Sequence, residues 1–184
     1  MTEWVALLRG VNVGGITVRS ADLAALFRES EYTAVKTVLA SGNVRFTADA
    51  GTKARAELKA RIEQALRDRF GYDAWIVLVT LDELAAAIDA FPFDAGDASR
   101  HPYVIFCSDD AVRGELVEAA ASVDPVEDPV QDGHGDGVGF IYWSPEKGRT
   151  LDTGYAKVLG KAKYKATTTT RNLRTLAKIV GASP

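Results

Sequence analysis

Two glycine-bearing stretches near the start of the chain, "LLRGVNVGGIT" (residues 7–17) and "SGN" (41–43), carry an arginine, two asparagines and a serine. A third stretch, "TTTTRNLRTLAKIVG" (167–181), adds a threonine, an arginine and an asparagine. A guanidinium presents a planar fork of donors to a carboxylate or phosphate, and carboxamides and hydroxyls orient what it holds. The candidate ligand contacts are therefore Arg9, Asn12, Ser41, Asn43, Thr170, Arg171 and Asn172. This is a binding composition. No histidine, lysine-base pair or carboxylate dyad accompanies it for acid–base work, so no catalytic residue is assigned.

The first stretch has the G-x-x-x-x-G spacing of a phosphate-binding loop, but Ile16 stands where the lysine belongs, ahead of Thr17. Without that lysine nothing reaches a β- or γ-phosphate, which counts against a nucleotide-hydrolysing loop. The next helix starts near Ser20, too late to aim its first amides into the loop.

The elements that position these residues follow from periodicity. Trp4 to Leu8 are apolar on both faces, as in a central strand. Leu23, Leu26 and Phe27 share one face of a helix capped by Ser20. "TAVKTVLA" and "VRFT" are strands joined by the "SGN" turn. Thr52 opens a helix bearing Leu58, Ile62, Ala65, Leu66 and Phe70, which Gly71 ends, and "AWIVLV" is a fourth strand. The order β-α-β-β-α-β is ferredoxin-like. In its sheet order, 4-1-3-2, the strand at 74–79 is an edge, which must be covered to avoid aggregation. The second half is the expected cover. A right-handed split β-α-β also brings the ends of the first two strands together, and with them Arg9, Asn12, Ser41 and Asn43.

The second half repeats part of this order. Thr80 and Glu83 make a capping box for a linking helix stopped by Pro92. "YVIFC" is a strand, Ser108 to Asp110 cap a helix with Val112, Leu116 and Ala119, and Pro125 and Pro129 mark an edge strand. "DGHGDG" is a turn before the strand "VGFIYW", and the chain closes in basic helices. The expectation is an α+β fold: a ferredoxin-like βαββαβ first half packed on a βαββαα second half. The first subdomain, with its linking helix, spans 1–91 and the second spans 101–184, with the boundary near 91–101.

Charge is divided unevenly. Residues 147–178 hold nine basic groups and one acid, a net +8, which leaves −11 for the rest of a chain of net charge −3. Such a segment is either a solvated face or a site for an anionic partner. Within it, a helix starting near Thr170 carries Leu173, Leu176, Ala177 and Val180 on one face. Arg171 in its first turn opposes the helix dipole, and a bound anion would remove the conflict.

"ALLRGVNVGG", "VKTVLASGNVRF" and "TTRNLRTLAKIVG" together resemble the uncharacterised bacterial family called domain of unknown function 1697, along essentially the whole chain. The resemblance implies a two-part α+β fold with a ferredoxin-like first part, and no established activity, cofactor or substrate. The motif residues it carries over are Arg9, Gly10, Asn12, Gly14, Gly15, Ser41, Gly42, Asn43, Thr170, Arg171 and Asn172. Leu173 and Arg174 replace the Trp and Asn of the family's closing motif, T-x-R-N-W-N-T.

Other signals have plainer readings. Cys107, with His101 or His134 as partner, lies in an apolar strand and reads as a buried, inert thiol. Asp132, His134 and Asp136 lack the later glutamate of a calcium loop, so no metal is expected. Tyr142 and Trp143, close to Lys147 and Arg149, read as packing rather than base stacking. A single cysteine excludes an internal disulfide and, with no membrane-length apolar run, leads to a cytoplasmic expectation. The expected function is a module binding a phosphate-bearing ligand, a nucleotide or single-stranded nucleic acid, with no cofactor. The alternatives are an enzyme using Arg9 and Arg171 as clamps on a small phosphorylated or carboxylated metabolite, or a protein-interaction module. Oligomeric state is left open.

Overall fold

The computed structural model describes residues 1–10, 17–40, 42–71, 73–133 and 137–181. The first half runs β1 (Thr2–Arg9), α1 (Ser20–Glu29), β2 (Thr33–Thr37), β3 (Asn43–Ala48), α2 (Arg55–Phe70), β4 (Trp75–Thr80) and α3 (Leu81–Asp89). The second runs β5 (Tyr103–Cys107), α4 (Asp110–Ala120), β6 (Val130–Gly133), β7 (Gly139–Trp143), α5 (Gly154–Leu159), β8 (Thr168–Asn172) and α6 (Leu173–Val180). The antiparallel sheets are ordered β2-β3-β1-β4 and β6-β7-β5-β8, so each half carries the same ferredoxin-like arrangement.

The alternation of side chains sorts three layers of core. Trp4, Ala6 and Leu8 of β1 face α1 and α2 with Leu26, Phe27, Ile62 and Leu66. Val5 and Leu7 face the other way and meet Val104, Phe106, Phe140 and Tyr142 of the second sheet, with α3 and α6 completing that layer. Ile105, Cys107, Ile141 and Trp143 pack on Leu116 of α4 and Tyr155 of α5. The two sheets thus share their inner faces, with α3 and α6 in that same layer, while α1 and α2 cover the outer face of the first sheet and α4 and α5 that of the second.

The Thr80–Glu83 capping box forms as expected, with both reciprocal hydrogen bonds present. Gly71 ends α2 at φ 70. Two boundaries move. Ser20 is the first residue of α1 rather than its cap, and Thr52 opens a short 3-10 turn ahead of α2.

The larger correction concerns the close of the chain. Residues 168–172 are a strand where helix was expected, so the second half is βαββαβ followed by a helix, not βαββαα. β8 pairs with β5 from Thr168↔Cys107 to Asn172↔Tyr103. A run of β-branched threonines favours extended backbone, and the neighbouring strand supplies the ladder that local helix signals could not. α6 then buries Leu173, Leu176 and Ile179, while Ala177 is exposed.

Edge strand β4 is closed by ionic side chains as well as by the second half. Glu63 accepts from the Ile76 amide (2.9 Å), Arg55 Nη1 donates to the Leu78 carbonyl (3.1 Å), and Glu83 accepts from the Thr80 amide (2.7 Å). Arg55 and Glu83 also pair with each other, beside Gly137 (φ 131), where a Cβ would collide with the Glu83 carboxylate. These plugs occupy positions a foreign strand would need. Glu63→Ala should lower stability by about 1 kcal/mol and raise concentration-dependent association in light scattering. Unchanged scattering would show that the plug does not guard the edge.

Candidate functional site

β1 ends at Arg9, and β3 begins at Asn43 after a turn through Gly42 (φ 73). The Asn43 side chain, fully buried, donates from Nδ2 to the Val38 carbonyl at 2.8 Å and fixes that turn. Its Oδ1 faces the second half, where it accepts from Arg171 Nε at 2.6 Å.

Arg171 is buried, at 8% exposure. Its pairing with Val104 puts it on the inner face of the second sheet, pointing at the first. Nη1 donates to the Thr169 hydroxyl (2.7 Å) and the Thr170 carbonyl (3.0 Å). Nη2 donates to the Leu8 carbonyl (2.5 Å) and, at 3.4 Å, to that of Gly42. All three guanidinium nitrogens therefore engage the protein. Desolvation, with the nearby Arg9 charge second, pulls the Arg171 pKa down to about 10, and it remains a cation at neutral pH.

Arg9 is half-buried and crosses to the second half from the other side. Its Nη1 donates to the carbonyl (2.9 Å) and hydroxyl (2.5 Å) of Thr168. Among the described residues no carboxylate pairs with Arg9, and its Nε and Nη2 make no hydrogen bond. Burial lowers its pKa too.

The structure thus brings Arg9, Asn43 and Arg171 together. The Thr170 side chain lies across from Ile105, on the opposite face of β8 from Arg171. Asn172 is the N-cap of α6, its side chain accepting from the Arg174 amide at 2.9 Å. The conflict expected between Arg171 and a helix dipole does not arise, because Arg171 sits in a strand. Asn12 and Ser41 lie outside the described residues, as do Gly14, Gly15, His134 and Asp136.

The basic segment is not one uniform face. Arg171 is buried, Arg149 pairs with Glu127 and Glu146, and Lys163 pairs with Glu115. Asp132, expected in the glycine-rich turn, lies in β6 and pairs with Arg113. Among the described residues no group of three His, Cys, Asp or Glu side chains is placed to hold a metal. No helix there is long and apolar enough to cross a membrane.

Missed by sequence reasoning are the backbone acceptors of Leu8 and Gly42 and the Thr168 and Thr169 hydroxyls. The β-branched threonine run was the available signal.

Two half-domains of ferredoxin-like order, tied by a buried arginine, define a duplicated α+β protein with a cationic seam. The chain belongs to the family of proteins of unknown function DUF1697, whose model matches residues 1–133. The closing T-x-R-N motif lies beyond that stretch. No curated protein matches the chain. Among solved structures it resembles the conserved bacterial protein SP0830 from Streptococcus pneumoniae, with a TM-score of 0.76 and 21% identity. That likeness covers 98% of this chain and 97% of the other, and it concerns the fold.

Cys107 is buried, and its thiol is pushed up to about 12, chiefly by desolvation. His101 precedes the far end of β5. This thiol is no nucleophile at neutral pH. An unfolded thiol ionises near its ordinary 9.0, so the stabilisation from keeping Cys107 neutral is complete below pH 9 and is lost as pH rises from 9 towards 12. Urea unfolding at intervals from pH 8 to 11 should show falling stability, less steep in Cys107→Ala by up to about 1 kcal/mol per pH unit. Equal slopes would contradict this account of the thiol.

Proposed function

We propose that this protein is a binding module for a phosphate-bearing ligand, a nucleotide or single-stranded nucleic acid, contacted by Arg9. The observation that carries this reading is the proximity of two guanidiniums at the seam between the sheets. Arg171 is held by the protein from every nitrogen, while Arg9 keeps one edge unengaged among the described residues. A cation that cannot move, set behind one that can bond outward, raises local potential where water is partly excluded, and this favours an anion. In this reading Arg9 makes the direct contact, and Asn43 and Arg171 fix its surroundings. Thr170, on the opposite face of β8, and Asn172, the cap of α6, take no part in the contact in this reading.

A binding module also fits the lack of an acid–base constellation better than an enzyme does, since neither arginine has a titrating partner between pH 5 and 8 among the described residues. The exposed Lys157, Lys161 and Lys165 offer a longer ligand additional phosphate contacts, while a mononucleotide needs none of them.

A thermal-shift screen of nucleotides and short oligonucleotides tests the proposal. A binder present at 100 times its Kd should stabilise the wild-type protein by about 2.7 kcal/mol and leave Arg9→Gln nearly unshifted. If the ligand is nucleic acid, affinity falls steeply with salt, with a slope that Lys157→Ala reduces. Equal shifts in wild type and Arg9→Gln, or no shift with any probe, would overturn the reading.

A further inference from the structure

The turn between β2 and β3 carries a leucine in two unfavourable conditions at once. Leu39 sits at φ 60, in the left-handed region where a bulky side chain crowds its own backbone. It is also 46% exposed, so a large apolar side chain stands partly in water. Asparagine or glycine is the usual choice for such a turn position and would remove both costs.

The other non-glycine residues with positive φ have local reasons for it. Glu31 follows the end of α1, where left-handed backbone is a common helix stop, and the Tyr32 amide closes that stop on the Phe27 carbonyl at 3.2 Å. Ala34 lies where the register of β2 shifts against β3. Neither reason applies to Leu39.

Its surroundings hold it there. The Val38 amide donates to the Asn43 carbonyl (2.9 Å), and Asn43 Nδ2 donates to the Val38 carbonyl (2.8 Å). The Gly42 carbonyl accepts from the Leu8 amide (2.8 Å) and from Arg171 Nη2 (3.4 Å). Val38 packs with Leu7 in the layer between the sheets, and Arg9, two residues beyond Leu7, leaves β1 on that same face. Leu39 follows Val38, and three residues of chain keep it within about 11 Å of Gly42. The strained, exposed leucine therefore borders the guanidinium pair, on a turn that Arg171 itself clamps. Backbone strain persists where its surroundings over-determine it, and such positions gather at ligand sites.

We infer that Leu39 is the specificity-determining contact of the Arg9 site, and that it takes the ring of a nucleoside monophosphate whose phosphate meets Arg9. This rests on the binding reading above and adds the apolar half of the ligand to it. A sugar phosphate or inorganic phosphate has nothing to lay on a leucine. Apolar contact is non-directional, so the choice it makes is between ligands with a ring and ligands without one.

The test is an NMR titration of the full chain with the four ribonucleoside 5′-monophosphates and with ribose 5-phosphate. At least one monophosphate should bind tenfold or more tightly than ribose 5-phosphate. Leu39→Asn, which suits left-handed backbone, should melt no lower than wild type, weaken the monophosphate about fivefold and leave ribose 5-phosphate unchanged. Leu39→Met, which keeps an apolar side chain, should retain most of the affinity. Equal affinity for the monophosphates and ribose 5-phosphate, or an equal loss of both in Leu39→Asn, would overturn the inference; the Arg9 reading would still stand where Arg9→Gln abolishes both. A lower melting temperature in Leu39→Asn would show that the leucine serves the fold, and would overturn the inference too. No binding of any of these probes would overturn both readings.

Discussion

A guanidinium buried between two sheets governs this molecule. Removing a cation from water is expensive, and the structure tolerates it because acceptors converge from separate segments: Leu8 at the end of β1, Gly42 and Asn43 at the start of β3, and the threonines of β8 itself. Leu8 and Arg171 lie 163 positions apart in sequence. One side chain therefore fastens the last strand of the fold to the first. Apolar contact between Val5, Leu7, Val104 and Phe106 supplies the bulk attraction between the sheets, which is non-directional, and the polar tie fixes their mutual placement.

That placement has electrostatic consequences. With Arg171 committed to internal acceptors, the positive potential at the seam is a fixed property of the fold rather than of mobile surface lysines. Arg9 inherits it. Its hydrogen bonds to Thr168 hold the guanidinium in place, so an incoming anion would meet a preorganised donor and lose less on ordering it.

Much of the first half was legible because its apolar residues repeat with clean periods and its ends carry local signals. Leu58, Ile62 and Leu66 of α2, the Gly71 cap and the Thr80–Glu83 box each act within a few residues. β8 was not legible. Three threonines, an arginine and an asparagine lack the apolar alternation of a strand, and they run straight into an amphipathic helix that reads backward into them. Their strand state is imposed by β5, some sixty residues earlier. The approach of Arg9 and Asn43 followed from the topology of the first half, whereas the arrival of Arg171 beside them depends on a strand that left no local mark. The role of Arg171 as a tie also required knowing where the carbonyls of Leu8 and Gly42 point. Thr170 and Asn172 were grouped with it by adjacency, and the strand's alternation and the α6 cap then sent them to other tasks.

The most direct measurement is a double-mutant cycle between Arg171→Met and Asn43→Ala, read by urea unfolding of all four proteins. A charge-assisted bond buried between the sheets predicts a coupling above about 1.5 kcal/mol. Losses that simply add, to within about 0.5 kcal/mol, would mean that Arg171 does not tie the two halves through Asn43.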